Sequence, residues 1–172
     1  MVYASWYKSP VGALLLAERD RKLVGVWMEG QKYFLGTLDE KPLEYADTPI
    51  LAQTKQWLDR YFNGERPKIC ELPLAPEGSR FRKTVWQILC EIPYGETVSY
   101  GEIARQIAER SGLSSMSAQA VGGAVGHNPI SIIIPCHRVV GANGSLTGYA
   151  GGIEKKLHLL ALEGVDVEKP SV

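Results

Sequence analysis

Three prolines interrupt the middle of the chain. Pro67, Pro73 and Pro76 lie in the segment ERPKICELPLAPEGS, which shows no helical period. Because proline lacks a backbone N–H and restricts the residue before it, neither a helix nor a central strand continues through such a segment. The chain of 172 residues is therefore predicted to form two domains, one over residues 1–75 and one over residues 76–172.

The part before these prolines is predicted to be a small α/β domain. Its opening run, YASWYKSPVGALLLAERDRKLVGVWMEG, is rich in residues that favour strands and is broken by turn residues, which predicts two or three antiparallel strands. The segment DTPILAQTKQWLDRYFNG follows, with Thr48 in the N-cap position, Pro49 in the first turn and Gly64 after the end. A small antiparallel sheet with one helix is expected.

The part after the prolines is predicted to be mostly helical. Ser79 is placed to cap RFRKTVWQILCEI, and Ser99 with Glu102 forms a capping box at the start of SYGEIARQIAER. A loop around Gly112 leads to a short helix in SAQAVGGAVGHN, which ends before Pro129. Two short helices across a glycine-containing turn are the outline of a helix-turn-helix, although most helix pairs of this kind only pack together.

Charge is unevenly distributed along the second part. Between Ser111 and Gly152 only Arg138 carries a permanent charge, and this region holds half of the 18 glycines. Such a surface allows close backbone approach and presents no carboxylate to phosphates, although a tightly packed core with turns has the same composition. The net charge of zero argues against a large basic surface for nucleic acid, but not against a small local site. The last helix, in IEKKLHLLALEG, is predicted to face inward with Ile153, Leu157 and Leu160.

Several classes of protein are disfavoured by what the sequence lacks. No apolar run approaches the roughly 20 residues of a membrane helix, and MVYASWYKSPVG lacks the layout of a signal peptide, so a cytoplasmic protein without membrane contact is expected. Three cysteines without a CxxC pair predict neither a disulfide framework nor a zinc ribbon. The histidines show no metal-ligand spacing, so no metal is expected.

The stretch SIIIPCHRVVG places Cys136 and His137 at the end of an aliphatic run. SIII is predicted to be a buried strand, and Pro135 ends its pairing, so Cys136 is expected at the strand's edge. A thiol is a nucleophile only as thiolate, and His137 is a candidate base. Because adjacent strand residues point to opposite faces, His137 needs a turn or a bridging water to reach the thiol. Taken alone, the pair also fits a structural cysteine beside a hydrogen-bonded surface histidine.

The surroundings of this pair form a longer pattern. AVGGAVGHNPISIII, PCHRVVG and GSLTGYAGGIEKKLHLLALEG closely resemble the O6-alkylguanine-DNA alkyltransferases, the methylated-DNA–protein-cysteine methyltransferases, from about Phe81 to Gly164. The first part is similar only in size and layout to that family's small α/β domain of ribonuclease H-like shape. The resemblance implies DNA repair by direct damage reversal, in which one methyl or larger alkyl group passes irreversibly from O6-alkylguanine to a cysteine after base flipping. It implies a monomer that binds double-stranded DNA in the minor groove and needs no cofactor; whether O4-methylthymine is also a substrate stays open.

The resemblance also implies roles for five residues of the reacting centre. Cys136 matches the alkyl acceptor, His137 the base that takes its proton through a water, and Glu163 the carboxylate that orients this histidine. Asn128 matches the residue that holds the turn before the active-site strand. Tyr100 matches the phenol that donates to the guanine as it leaves.

Further matches concern the substrate and DNA. The family's loop over the extruded guanine and the strand beyond the nucleophile imply a substrate site at Tyr149, Ala150, Gly151 and Val139. DNA contacts are expected from Ser99, Gln119, Ala120, Gly122 and Gly123. In many members an arginine stands where this chain has Gln119, so the hydrogen-bonding capacity is kept here and the cation is lost.

Three other functions fit parts of the pattern. A damage sensor that flips lesions without repairing them would bind the same DNA, but members of that class replace the nucleophile, and Cys136 is present. A cysteine hydrolase could use Cys136, His137 and Asn128, but neither an oxyanion hole nor a peptide-binding signature is evident. A regulator whose cysteine senses alkylation would need a separate DNA-binding segment, for which the sequence offers no candidate.

Overall fold

The computed structural model describes residues 1–38, 43–146 and 148–166. The chain divides into two compact units, one made of Met1–Gly78 with Pro129–Ile133 and the other of Ser79–Asn128 with Ile134–Val172. The short return of Pro129–Ile133 to the first unit follows from backbone hydrogen bonds with Val26, whose N–H donates to the Pro129 carbonyl (2.8 Å). A boundary at residue 75 does not foresee this return, and residues 167–172 of the second predicted domain lie outside the described residues.

The first unit contains a four-stranded sheet with the order β3-β2-β1-β4. Its strands are β1 (Val2–Ser9), β2 (Gly12–Arg19), β3 (Lys22–Met28) and β4 (Leu43–Tyr45). β1 and β2 are antiparallel, as are β2 and β3, but β4 runs parallel to β1. The sheet is therefore mixed, and the prediction of a purely antiparallel sheet is wrong. A strand of three residues is too short to show the alternation that would have revealed it.

The predicted helix of the first unit is α1 (Pro49–Phe62). The Thr48 hydroxyl accepts from the Leu51 N–H (3.2 Å), so this threonine is the N-cap, as predicted. Trp57 lies on the buried face, and its indole N–H donates to the Lys68 carbonyl (2.8 Å). This bond holds the proline-rich segment, which includes a 3₁₀ turn at Ile69–Glu71, against the helix.

The second unit is mostly helical. Its helices are α2 (Arg80–Cys90), α3 (Tyr100–Ser111), α4 (Ala118–Gly126) and α5 (Ile153–Leu162), and it contains 3₁₀ turns at Cys136–Arg138 and Ala142–Gly144. Two short strands, β5 (Val98–Ser99) and β6 (Val139–Val140), pair in parallel. Serine hydroxyls cap α2, α3 and α4 at Ser79, Ser99 and Ser117. No helix in the described ranges is both long and apolar enough to cross a membrane.

The segment Ser131–Ile134 is not the predicted strand. Its residues form turns, Ile132 has a φ of 72°, and an isolated bridge just before it joins Ile130 to Val26. All four residues are nevertheless buried. The aliphatic run thus predicts burial correctly and conformation wrongly, because a short apolar run has the same pattern in a strand and in a buried turn.

The inward face of α5 also differs from the prediction. Leu160 is buried as expected, but Ile153 is 39% exposed, and Lys156 is 0% exposed. A lysine on the buried face of a helix needs a polar partner, and its partner lies beside the candidate site.

Candidate active site

Cys136 begins the 3₁₀ turn Cys136–Arg138, which leads directly into β6. Its N–H donates to the Ile134 carbonyl (2.8 Å), and the Arg138 N–H donates to the Pro135 carbonyl (3.0 Å). Cys136 is 5% exposed. The predicted position at a strand's edge is therefore wrong, because the cysteine lies in a turn. The side chains of adjacent residues such as Cys136 and His137 can approach each other in a turn, whereas on a strand they point to opposite faces.

Opposing effects act on the Cys136 thiol. Burial raises its pKa, whereas a hydrogen bond from Asn128, the charge of Lys156 and the backbone at Cys136 and His137 lower it. The Asn128 Nδ2 also donates to the Ile134 carbonyl (2.8 Å). Asn128 therefore contacts both the thiol and the turn before it.

His137 and Glu163 meet although 26 residues separate them. His137 Nε2 lies 2.6 Å from Glu163 Oε2, and both side chains are fully buried. Burial lowers the pKa of His137, while Glu163 acts in the opposite direction. A neutral imidazole that donates through Nε2 keeps its lone pair on Nδ1, which is buried and has no hydrogen-bond partner in the described part of the chain. The arrangement is that of a neutral base.

The Glu163 carboxylate is also held by Arg138. Arg138 Nε donates to Oε1 (2.8 Å) and Nη2 to Oε2 (3.2 Å), and the Gly95 N–H donates to Oε1 (3.2 Å). Glu163 is the C-cap residue of α5, where a carboxylate opposes the helix dipole, so these donors explain why it is tolerated there. Sequence reasoning assigned no role to Arg138; its only signal was that it is the one charge in a long uncharged region.

Lys156 is a second cation that sequence reasoning missed. Its Nζ donates to the Val139 carbonyl (2.5 Å). Burial lowers its pKa from 10.5 to about 8, and the charge of Cys136 acts against this shift. An ammonium coupled to Cys136 in this way stabilises the thiolate. No spacing rule could have found it, because lysine side chains normally lie on the exposed face of a helix.

Tyr100 and Tyr149 both respond to the charge of Cys136. The pKa of each phenol is raised by burial and then by Cys136. The Tyr149 hydroxyl is buried without a hydrogen-bond partner among the residues that are described. Tyr100 is bordered by glycines: a Cβ on Gly122 would lie 3.9 Å from its ring, and one on Gly148 would lie 3.4 Å from its hydroxyl. Both phenols therefore belong to the surroundings of the thiol.

The remaining predicted residues occupy two places. Ala150 and Gly151 are half-buried and follow Tyr149, and Val139 is fully buried in β6. The residues predicted to contact DNA belong to α4 or to the start of α3, where Ser99 is the N-cap: Gln119, Ala120 and Gly123 are exposed, and Gly122 is half-buried.

The comparisons with known proteins cover nearly the whole chain. The family model described as "6-O-methylguanine DNA methyltransferase, ribonuclease-like domain" matches residues 2–76, and the model of that protein's DNA-binding domain matches residues 80–165. The methylated-DNA–protein-cysteine methyltransferase of Haemophilus influenzae is 41% identical over 95% of this chain and 87% of its own length. That of Methanosarcina acetivorans is 44% identical over 95% of this chain and 99% of its own length.

Solved structures that resemble this chain belong to the same family. A crystal structure of Mycobacterium tuberculosis O6-methylguanine methyltransferase is 42% identical, with a TM-score of 0.80 over 95% of this chain and 93% of that one. A crystal structure of M. tuberculosis OGT in complex with DNA is 41% identical, with a TM-score of 0.80 over 94% of this chain and 92% of that one. The family predicted from the sequence is confirmed, and the match extends to residues 2–76, where the sequence features described above resemble the family only in size and layout. The chain belongs to the O6-methylguanine-DNA methyltransferase family, the methylated-DNA–protein-cysteine methyltransferases.

Proposed function

We propose that this chain repairs DNA by moving an alkyl group from O6-alkylguanine to Cys136, once per protein molecule. The proposal rests on the groups that surround the buried thiol of Cys136, in a chain that belongs to this family. His137 is a neutral base hydrogen-bonded to Glu163, Asn128 donates to the thiol, and the charge of Lys156 favours the thiolate.

The residues divide the chemistry between them. His137 Nδ1 accepts the thiol proton, with a water as carrier, and the thiolate sulfur attacks the alkyl carbon. The bond between that carbon and O6 breaks with its electron pair going to the guanine, which takes a proton from the Tyr100 hydroxyl. The proton on His137 then restores Tyr100, so the balance is one thiol and one alkylguanine giving one thioether and one guanine. A thioether is a poor leaving group, and each molecule therefore acts once.

DNA binding is assigned to α3 and α4 as a helix-turn-helix, with α4 in the minor groove. Gly123 supports this assignment, because a Cβ there would meet no atom of the described residues within 4 Å. A glycine inside a helix costs about 1 kcal/mol relative to alanine, and packing within the protein does not require this one. Close approach of a DNA backbone to the exposed face of α4 would account for it.

The substrate base is proposed to reach the thiol by flipping. A guanine stacked in a duplex cannot meet the thiol of Cys136, a residue that is 5% exposed, so it must leave the stack at a cost of about a few kcal/mol. Tyr149, Ala150 and Gly151 then line its pocket, with Val139 below the nucleophile. Because one chain supplies all of these groups, a monomer suffices. The first unit is assigned a ribonuclease H-like shape, which its mixed sheet, α1 and the ribonuclease-like family match support.

Mass spectrometry after mixing the protein with duplex DNA that contains O6-methylguanine tests the function. We expect one methyl group on the peptide that carries Cys136, at one equivalent and no further, and unmethylated guanine in the DNA. An unmodified thiol together with tight lesion binding would instead identify a damage sensor, and a methyl group on Cys70 or Cys90 would refute the assignment of the acceptor.

The substitution Gln119→Arg is expected to increase DNA affinity. Gln119 lies exposed near the start of α4, so an added cation there would meet the phosphates or fill the gap left by the flipped base. We expect the dissociation constant to fall by about threefold to tenfold and the salt dependence of binding to steepen by about one phosphate contact. Fluorescence anisotropy at several salt concentrations measures both.

The matched control is Gln53→Arg, which adds the same charge to an exposed glutamine of α1. It should leave both quantities nearly unchanged. Equal or weaker binding by the Gln119→Arg protein would contradict the placement of α4 on DNA.

A further inference from the structure

Two adjacent residues of one turn bind the same carboxylate. His137 Nε2 and Arg138 Nη2 both contact Glu163 Oε2, at 2.6 and 3.2 Å, and Arg138 Nε contacts Oε1 at 2.8 Å. We propose that Arg138 is a positioning residue for alkyl transfer, which fixes the Glu163 carboxylate against His137 and so keeps Nδ1 of the imidazole free to receive the thiol proton. This inference rests on the function proposed above and adds a residue to its machinery.

The guanidinium of Arg138 is itself immobilised. Its Nη1 donates to the Ile92 carbonyl (2.7 Å), and its central carbon lies 5.6 Å from the centre of the Tyr94 ring. Each of its three nitrogens therefore has an acceptor, and Arg138 is only 7% exposed. The two donors Nε and Nη2 form a planar fork. Because the guanidinium is held by Ile92 and Tyr94, this fork fixes the position of a carboxylate more closely than a flexible ammonium could.

Arg138 supplies two of the described hydrogen bonds to the Glu163 carboxylate. The Gly95 N–H donates to Oε1 at 3.2 Å, and His137 donates to Oε2. If His137 alone oriented Glu163, the pair could rotate together, and Nδ1 would not be held in one direction. The geometry of the base thus depends on a residue that need not touch the substrate.

The charge of Arg138 has a second, separable effect. The groups whose charge acts on His137 are Glu163, which favours its protonation, and Arg138 and Lys156, which oppose it. Removing the cation of Arg138 therefore raises the pKa of His137, and at a given pH more of the histidine already holds a proton. Because a protonated His137 cannot accept the proton of Cys136, the acidic limb of the rate profile should move to higher pH.

The test is the single-turnover rate of methyl transfer to Cys136 between about pH 5 and about pH 9. Arg138→Met, which lacks both fork and charge, should lose about tenfold to about a hundredfold in rate near neutral pH and shift its acidic limb upward. Arg138→Lys keeps the charge and loses the fork, so it should recover part of the rate and keep the limb of the unchanged chain. A double variant that also carries Glu163→Gln should lose less than the product of the two single losses, because both changes act through one contact.

Controls separate positioning from folding. Urea unfolding shows that each variant is folded during the assay, and Arg60→Met, which breaks an exposed ion pair with Glu71 in the first unit, should leave the rate unchanged. If Arg138→Met does not fold, the Arg138→Lys variant is the test. Slower transfer by the folded Arg138→Lys protein supports the inference, and transfer by it at the rate of the unchanged chain overturns the inference. The inference would also be overturned if the rate losses of Arg138→Met and Glu163→Gln multiplied in the double variant and the acidic limb of the rate profile did not move. Absence of transfer by the unchanged chain would instead overturn the proposed function.

Discussion

Replacing Cys136 by serine is expected to abolish alkyl transfer while leaving lesion binding in place. A hydroxyl is far less acidic than a thiol, and the buried, neutral His137 is too weak a base to ionise it. We expect the single-turnover rate to fall by more than about a thousandfold. The face of α4 that we propose for DNA contact is unchanged, so the dissociation constant for DNA with O6-methylguanine should stay within about twofold. Mass spectrometry and fluorescence anisotropy measure the two quantities on the same preparation.

The other two cysteines provide matched controls. Burial and the charge of Glu91 raise the pKa of the Cys90 thiol to about 11, and the charge of Arg138 acts against this shift. Cys70 is exposed and free. Cys90→Ser and Cys70→Ser should therefore both transfer at the rate of the unchanged chain. Methylation of a protein that lacks the Cys136 thiol would show that the acceptor is wrongly assigned.

Local signals predicted the helices well because their ends carry chemistry that can be read directly. Thr48, Ser79 and Ser99 were all expected as caps, and each hydroxyl accepts a backbone N–H three residues on. The strands depend more on distant partners. β4 is defined by its parallel pairing with β1, and the β6 segment by its pairing with β5, so neither has a signal of its own.

The site residues that belong to the long sequence motif could be predicted, whereas those whose role depends on being buried could not. Cys136, His137 and Glu163 were assigned from the resemblance, and the structure brings the latter two into contact at 2.6 Å. Arg138 and Lys156 were missed because charged side chains are normally exposed. Arg138 donates to the Ile92 carbonyl and Lys156 to the Val139 carbonyl, and both acceptors are distant in the sequence. No periodicity of the sequence indicates such contacts.

Arg138 changes what is expected of the substitution Glu163→Gln. From the sequence, this change should slow transfer and leave folding intact. In the structure it leaves the guanidinium of Arg138 buried and without a carboxylate, because a glutamine offers one neutral oxygen to donors that had two anionic ones. We therefore expect the free energy of unfolding, measured in urea, to fall by about 3 kcal/mol.

The rate should fall for a different reason than the stability, and the two losses can be separated. A neutral amide no longer stabilises a protonated His137, so transfer should slow by about a hundredfold at temperatures where the variant is folded. Adding Arg138→Met removes the unpaired buried charge, which should restore part of the unfolding free energy but none of the rate. If stability and rate recovered together, Glu163 would be holding the fold rather than the base. If only stability recovers, the carboxylate acts on His137 itself, and the strength of this base is set by a charge 26 residues away that Arg138 keeps in place.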